Sequence, residues 1–351
     1  MAKKIWAGLD VGVETTSVCI IDDQGEVLHE AVCPTVLKSV HAEIRPLRRR
    51  RFARVALEAG TGVNLARGLR TLGYSVDIYE SRQLSKFLRV RCNKTDAGDA
   101  SGIAEAGRVG ASAVSKVYLK NLDCQALQSR LAIRRHLIRE RVAAVNLLCR
   151  QLEVYGGRVQ GSSRARRLRE TVEAELKQLF GKESSPLVAE LRLLLDRCED
   201  MVFHQRALDD ELERLALDNE VCRRFMAIPG VGPICALTFY AAVGEPGRFA
   251  RSANIGAYFG LAPTIHQSGL TNRRGRISRM GSAAMRSLLV QAGMTFMRLS
   301  SADSDLRAWA SGIEARRGAA RARVALARKL AIIMLSMWKT GETYRPRRAT
   351  A

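Results

Sequence analysis

The chain has 351 residues, a length that suggests two or three domains, and 47% of them are hydrophobic, enough to bury a core and to exclude a disordered chain. A formal net charge of +22 asks for a polyanionic partner, either nucleic acid or an acidic membrane surface. No apolar run reaches the ~18 residues of a spanning helix, and Leu330 to Trp338, which follows Arg328-Lys329, reads as the buried face of a C-terminal helix.

Residues 1–118 read as α/β. Ile5–Leu9 and Ser17–Ile21 are strand-like, Asp22-Asp23-Gln24-Gly25 is a turn, and Glu26–Val32 is a third strand. A helix over 37–50 ends in Arg48–Arg51. Ala53–Leu57 is a fourth strand, expected at the centre of the sheet and ending at Glu58. A helix over Val63–Leu72, a strand over Ser75–Tyr79 and helices around 82–89 and 95–108 follow. Three antiparallel strands, then strands alternating with helices, is the RNase H-like order.

Residues 119–218 are mostly helical. Leu127, Leu131, Ile138, Val142 and Val145 recur at helical spacing within Leu119–Glu153, and Leu187–Leu217 resumes the pattern after glycine interruptions at 156–157 and 161–163. Mixed charges on the other faces suggest an extended helical hairpin or coiled coil. Residues 219–351 are basic, rich in Gly and Ala and mainly helical, with Arg345–Ala351 as a loose tail. Lys/Arg against Asp/Glu number 18 and 13 in the first region (net +5), 18 and 16 in the second (net +2), and 21 and 6 in the third (net +15). Affinity for a polyanion is therefore expected to concentrate in the last third. The eight cysteines are scattered, with no CxxC and no paired His. That argues against zinc and, with no leader, fits a reducing cytosol.

Three segments carry acids at structured positions. Gly8-Leu9-Asp10-Val11-Gly12 places Asp10 at the end of a hydrophobic strand, where it can bind Mg²⁺ beside a phosphate. Leu57-Glu58-Ala59-Gly60-Thr61-Gly62 ends a second strand on Glu58. In Asn93-Lys94-Thr95-Asp96-Ala97-Gly98-Asp99-Ala100, Thr95 or Asn93 can cap a helix that sets Asp96 and Asp99 on one face. Each alone also fits a solvated strand end or a helix-dipole effect. Four such acids together can hold two Mg²⁺ for phosphoryl transfer.

Further on, Ile228-Pro229-Gly230-Val231-Gly232-Pro233 precedes an apolar helix over Ile234–Val243 and resembles the hairpin of a helix-hairpin-helix, whose Gly230 and Gly232 would let backbone N–H groups approach a phosphate. A tight inter-helix turn is the plainer reading. Gly260-Leu261-Ala262-Pro263 then leads into Gln267 to Gly281, a Gly-rich basic loop with Arg273, Arg274, Arg276 and Arg279 and no acid. Ser268, beside Gly269, could be an exposed nucleophile, although Ser-Gly pairs are usually turns.

Together GLDVG, LEAGTG, NKTDAGDA, IPGVGP and GLAP…QSG…SRMG resemble, in order, the motifs of the DEDD-type insertion-sequence transposases, also called bridge-RNA-guided recombinases, and of the related Piv-type DNA invertases. The resemblance covers both ends of the chain, while 119–218 matches only in character. It implies a RuvC-like domain over 1–118, a helical segment over 119–218 and a transposase domain over 219–351. It assigns the metal-binding acidic tetrad to Asp10, Glu58, Asp96 and Asp99 and a catalytic serine to Ser268. It also implies Mg²⁺, donor and target DNA, a guide (bridge) RNA, a homo-oligomer that shares its active site between subunits, a cytoplasmic setting and no membrane. An actin-like sugar kinase lacks support, because no second phosphate loop is found. A Holliday-junction resolvase would need the acids but not Ser268, and a non-enzymatic nucleic-acid binder would need neither.

Overall fold

The computed structural model describes residues 4–49, 51–89, 95–112, 114–159, 167–181, 185–268, 271–299 and 304–346. Two compact units are present, Met1–Leu119 and Lys120–Ala351.

The first unit is built on five strands, β1 (Lys4–Val11), β2 (Thr15–Ile21), β3 (Val27–Pro34), β4 (Arg51–Glu58) and β5 (Val76–Tyr79), in the order β3-β2-β1-β4-β5. β2 is antiparallel to both β1 and β3, while β4 is parallel to β1 and to β5. This is the RNase H-like order. The expected turn after β2 forms: the Asp22 carboxylate accepts from the N–H groups of Gln24 (2.9 Å) and Glu26 (3.0 Å), and Gly25 takes φ +88°. One expectation needs correction. The strand ending at Glu58 is not central, because β1 takes that place between its hairpin partner β2 and the parallel strand β4.

Alternation divides the sheet into two faces. Ile5, Ala7, Leu9, Val18, Ile20, Val55, Leu57 and Ile78 form one core with Val40 and Ile44 of α1 (Leu37–Ile44) and Leu65 and Leu69 of α2 (Val63–Thr71). Trp6 faces the other way, in a cluster with Ala100 and Ala104 of α4 (Asp96–Val109), which α3 (Ser81–Leu88) precedes. Burial on both faces explains why β4 reads as a continuous apolar run. α1 is shorter than the helix expected over 37–50. Arg45–Arg49 tightens to a 3₁₀ turn, since Pro46 has no N–H to continue the α-helical ladder.

The second unit contains two 33-residue helices, α5 (Leu122–Val154) and α7 (Pro186–Asp218), each about 50 Å long at ~1.5 Å per residue. Asn121 caps α5 by accepting from the N–H of Cys124 (2.8 Å), which explains a start later than the apolar pattern suggests. Gly156, at φ +89°, follows its last turn. The helices run antiparallel, joined by Arg130–Glu211 and Arg134–Asp209 ion pairs. At one end Leu148, Leu152, Leu191 and Leu195 enclose Val172 and Leu176 of α6 (Leu168–Phe180).

The remaining elements are α8 (Glu220–Met226), α9 (Pro233–Val243), α10 (Asn254–Tyr258), β6 (Pro263–Ser268), β7 (Thr271–Ile277), α11 (Ala283–Leu299), α12 (Asp305–Arg317) and α13 (Ala319–Thr340). α9 is buried on every side, with Cys235, Ala236, Leu237, Phe239, Ala241 and Val243 in the core. That accounts for an apolar helix with no polar face. Leu330, Ala331, Met334 and Leu335 of α13 join the same core, and Tyr240 stacks on Trp338 at 4.9 Å. Among the described residues no helix is long and apolar enough to cross a membrane.

Candidate catalytic carboxylates and the serine hairpin

Asp10 and Glu58 occupy the C-terminal ends of neighbouring parallel strands. Leu9 pairs in register with Leu57, and one more residue sets Asp10 beside Glu58, with strand axes about 4.8 Å apart. Alternation puts both on the α4 face of the sheet. The turns that follow are laced together. Thr61 donates its hydroxyl proton to the Val11 carbonyl (2.8 Å), Ala59 N–H donates to Tyr79 (2.9 Å), and the Ser81 hydroxyl donates to Ala59 (2.8 Å).

Gly8 brings α4 down onto this end of the sheet. A Cβ at Gly8 would lie 2.1 Å from the Ala100 carbonyl oxygen and 2.2 Å from the Ala104 nitrogen. Further along, a Cβ at Gly107 would lie 3.0 Å from that of Ala56 and 3.8 Å from Trp6. α4 therefore runs with its N-terminus toward the strand ends that carry the acids. Asp99 adjoins the Gly8 contact on the side of Asp10, and Asp96 lies one turn earlier. Asp10, Glu58 and Asp99 are half-buried, and Asp96 is exposed. The helix starts at the Thr95 cap, whose hydroxyl accepts from the Gly98 N–H (3.0 Å), while Asn93 and Lys94 fall outside the described residues. Both Asp96 and Asp99 stand in the first turn, where the helix dipole favours negative charge.

The fold thus brings all four predicted acids to one end of one sheet face. Carboxylate oxygens suit a hard divalent cation. As the side chains stand, no group of three or more His, Cys, Asp or Glu among the described residues converges closely enough to hold one. The fit to Mg²⁺ rests on donor chemistry and backbone placement.

Ser268 belongs to the other unit. It is exposed at the end of β6, opposite Thr271 of β7, while Gly269 and Leu270 lie outside the described residues. The stretch expected to be a basic loop is instead largely an antiparallel hairpin, Ser268↔Thr271 through Pro263↔Ile277. Ladder pairing supplies the backbone order that its polar sequence did not signal. Arg273, Arg276 and Arg279 are exposed, and Arg274 sits in register with Ile265.

Two glycines clamp the hairpin root. A Cβ at Gly260 (φ +66°) would lie 2.1 Å from the Met280 carbonyl, and one at Gly281 (φ +81°) 2.2 Å from that of Tyr258. Arg286, not singled out in the sequence, donates from Nη1 to the carbonyls of Phe259 (3.2 Å), Met280 (3.2 Å) and Gly281 (3.1 Å). Its only sequence signal is its place in the first turn of an apolar helix just after Ser-Arg-Met-Gly. Gly230, at φ +86°, packs against α11, since its Cβ would meet the Ala292 carbonyl at 2.5 Å. Gly232 is exposed at the start of α9 with open space around it.

Sheet order and strand-end acids define an RNase H-like protein with the layout of a DNA-processing enzyme. Comparison with known proteins gives the family. A model described as Transposase IS116/IS110/IS902 family matches residues 222–308, and a DEDD-type IS110 transposase model matches residues 7–156. The chain is 30% identical over 345 residues to the transposase for insertion sequence element IS1111A of Coxiella burnetii, covering 96% of this chain and 90% of that protein. It is also 30% identical over 346 residues to a probable family 20 transposase of Pseudomonas aeruginosa, covering 97% and 98%. The chain belongs to the IS116/IS110/IS902 family of transposases. Among solved structures, Thermus thermophilus RuvC aligns with 32% of this chain and 99% of its own, at 17% identity and a TM-score of 0.25.

Proposed function

We propose that this transposase cuts and rejoins DNA at the ends of an insertion sequence, using the carboxylates of the sheet and Ser268 as the two halves of its chemistry. The observation that carries the reading is the meeting of Asp10, Glu58 and the Asp96–Asp99 turn of α4 at one end of the sheet. These four acids would hold Mg²⁺, one ion or two. When bound, the metal supplies positive charge that lowers the pKa of a nucleophile and stabilises a leaving oxygen.

Ser268 then attacks a DNA phosphate. A bond forms between its Oγ and phosphorus, the P–O bond to one strand breaks, and that strand leaves as a free hydroxyl carrying the proton. Reversal by a strand hydroxyl restores DNA and serine without ATP. Support comes from the exposure of Ser268 on an arginine-bearing hairpin and from the resemblance to bridge-RNA-guided recombinases and Piv-type invertases. In this reading residues 1–118 are the metal-dependent domain, 119–218 an assembly arm, and 219–351 the nucleic-acid-binding and serine domain. Acids and serine come from different subunits of a homo-oligomer. Arg273, Arg274, Arg276 and Arg279 contact phosphates, as does the backbone at Gly230 and Gly232. A structured RNA pairs with donor and target DNA and selects the sites, in the bacterial cytosol.

The test is a covalent adduct. Wild-type protein with Mg²⁺ and element-end DNA should yield a protein–DNA species that survives denaturant, and Ser268→Ala should not. Cleavage without any adduct would replace serine chemistry with water attack, the resolvase-like alternative.

A further inference from the structure

We propose that the root of the β6–β7 hairpin holds a separate phosphate site, a cationic pocket that binds one backbone phosphate of the nucleic-acid strand lying along the hairpin. This rests on the reading that the hairpin meets nucleic acid. The pocket encloses about 540 Å³ within the second unit. One wall is the start of α5, with Lys120 just before it and Arg135 three and a half turns on. The opposite wall is Gly281-Ser282, where the 17-residue helix α11 begins.

Three features select an anion. First, Lys120 and Arg135 line the pocket and no carboxylate does. Second, the positive end of α11 opens into it, with Ser282 capping by accepting from the Met285 N–H (3.2 Å). Third, the carbonyls of Phe259 and Gly281, which would repel an anion, are bonded to Arg286. Other polar groups on the walls are already committed. Gln128 donates to the Ala241 carbonyl (3.0 Å), and the Tyr258 hydroxyl donates to that of Ala242 (3.0 Å). The groups left to meet a ligand are cations and a helix N-terminus.

Lys120 also shows strain of the right sign. Burial first, then the charge of Arg248, pulls its pKa from 10.5 to about 8. A bound phosphate would offset both effects by returning an anionic partner to a half-desolvated ammonium. Position fits as well. Gly281 lies two residues from Arg279, so a strand touching Arg276 and Arg279 reaches the pocket with its next phosphates.

The experiment compares full-length wild type with Lys120→Gln/Arg135→Gln. The probes are a single-stranded DNA of about twelve nucleotides, an RNA of the same sequence, and the DNA with a neutral methylphosphonate backbone. The double variant should bind the charged strands about 5- to 10-fold more weakly, with a salt slope shallower by about 0.7. Its affinity for the neutral strand should not change. Loss on DNA alone assigns the site to DNA, loss on RNA alone to RNA, and loss on both to a backbone phosphate of either. Lys120→Arg/Arg135→Lys should restore affinity. Failure to restore it, or equal loss on the neutral strand, overturns the proposal. Unchanged binding in the pocket variant, beside weakened binding in Arg273→Glu/Arg276→Glu, also overturns it and leaves the hairpin reading intact. Unchanged binding in both variants removes both.

Discussion

Asp10, Glu58 and Asp99 stand on elements locked into a buried core, whereas Ser268 stands on a two-stranded ribbon whose β6 residues from Ile265 to Ser268 are exposed. On the first unit, helix and strand touch through backbone at Gly8, so the acids are positioned once the sheet folds. In the second, the ribbon has no core of its own. Two-stranded hairpins are marginal in water, and this one is ordered from its root by Gly260, Gly281 and Arg286. The acid geometry is thus a property of the fold. That of the serine depends on what the ribbon touches, which suits a site completed only when DNA and subunits assemble.

Mixing experiments press this contrast hardest. Asp10→Asn should abolish strand cleavage while leaving DNA affinity unchanged, because Asn keeps the shape and removes the charge. Ser268→Ala should be equally inactive. If acids and serine come from different chains, mixing the two inactive proteins should restore part of the activity. A mixture as dead as its parts would place both groups in one chain.

The acid half should break through Gly8. Gly8→Ala drives a methyl into the backbone of α4 and should destabilise the protein by about 3 kcal/mol or more in urea denaturation. Gly312→Ala is the contrast. It lies inside α12 with open space at its Cβ, so the substitution should stabilise by about 1 kcal/mol. Loss of stability below ~1 kcal/mol in Gly8→Ala would mean that α4 does not ride on β1.

Lys120 gives a pH signature. Its folded pKa of about 8 lies below its ordinary 10.5. Below 8 both states carry the proton, and burial penalises the folded one. Between about 8 and 10.5 the unfolded chain still holds a proton that the folded chain has lost, so this group makes stability rise with pH across that window. Lys120→Met should flatten the rise, measured as the difference between the two proteins' unfolding free energies at each pH. An unchanged slope would mean that Lys120 is solvated.

The hairpin half should break through Arg286. Arg286→Met leaves three carbonyls without their donor and should cost about 1–3 kcal/mol. It should also reduce adduct formation by Ser268 more than it reduces DNA binding. Arg286→Lys keeps the charge but cannot reach three acceptors in the same fork, so partial rescue is expected.

Much of the acid half was legible because its signals are local. Asp10 and Glu58 end apolar strands, and Thr95 precedes a helix start; the N-cap and dipole rules apply residue by residue. The sequence did not show that Gly8 is a helix-contact residue, since that requirement comes from Ala100 and Ala104, more than ninety positions away. Nor did it show that β1, not β4, is central, because strand order is a tertiary property. In the hairpin, Thr271 to Ile277 is polar and arginine-rich with no apolar alternation, so it read as loop. Pairing to β6, not burial, makes it a strand. Gly230 drew attention as a phosphate contact, and the structure gives it a packing reason in the backbone of α11.

The smallest expected effect is also the most diagnostic of the acid platform. Thr95 caps α4 through a single 3.0 Å bond from Gly98 N–H, and the same turn carries Asp96 and Asp99. Thr95→Ala should destabilise the protein by about 1 kcal/mol. Its effect on cleavage should be larger than that figure suggests, because fraying of one turn moves two of the four acids at once. Thr95→Asp keeps a capping oxygen and should recover stability. It also adds a third carboxylate beside Asp96 and Asp99, which changes local charge without losing the turn. If cleavage follows the cap, Thr95→Ser should restore both stability and rate, and Thr95→Asp should restore stability with a shifted Mg²⁺ dependence. If rate is untouched when the turn is weakened, Asp96 and Asp99 take no part in the chemistry, and the site reduces to Asp10 and Glu58.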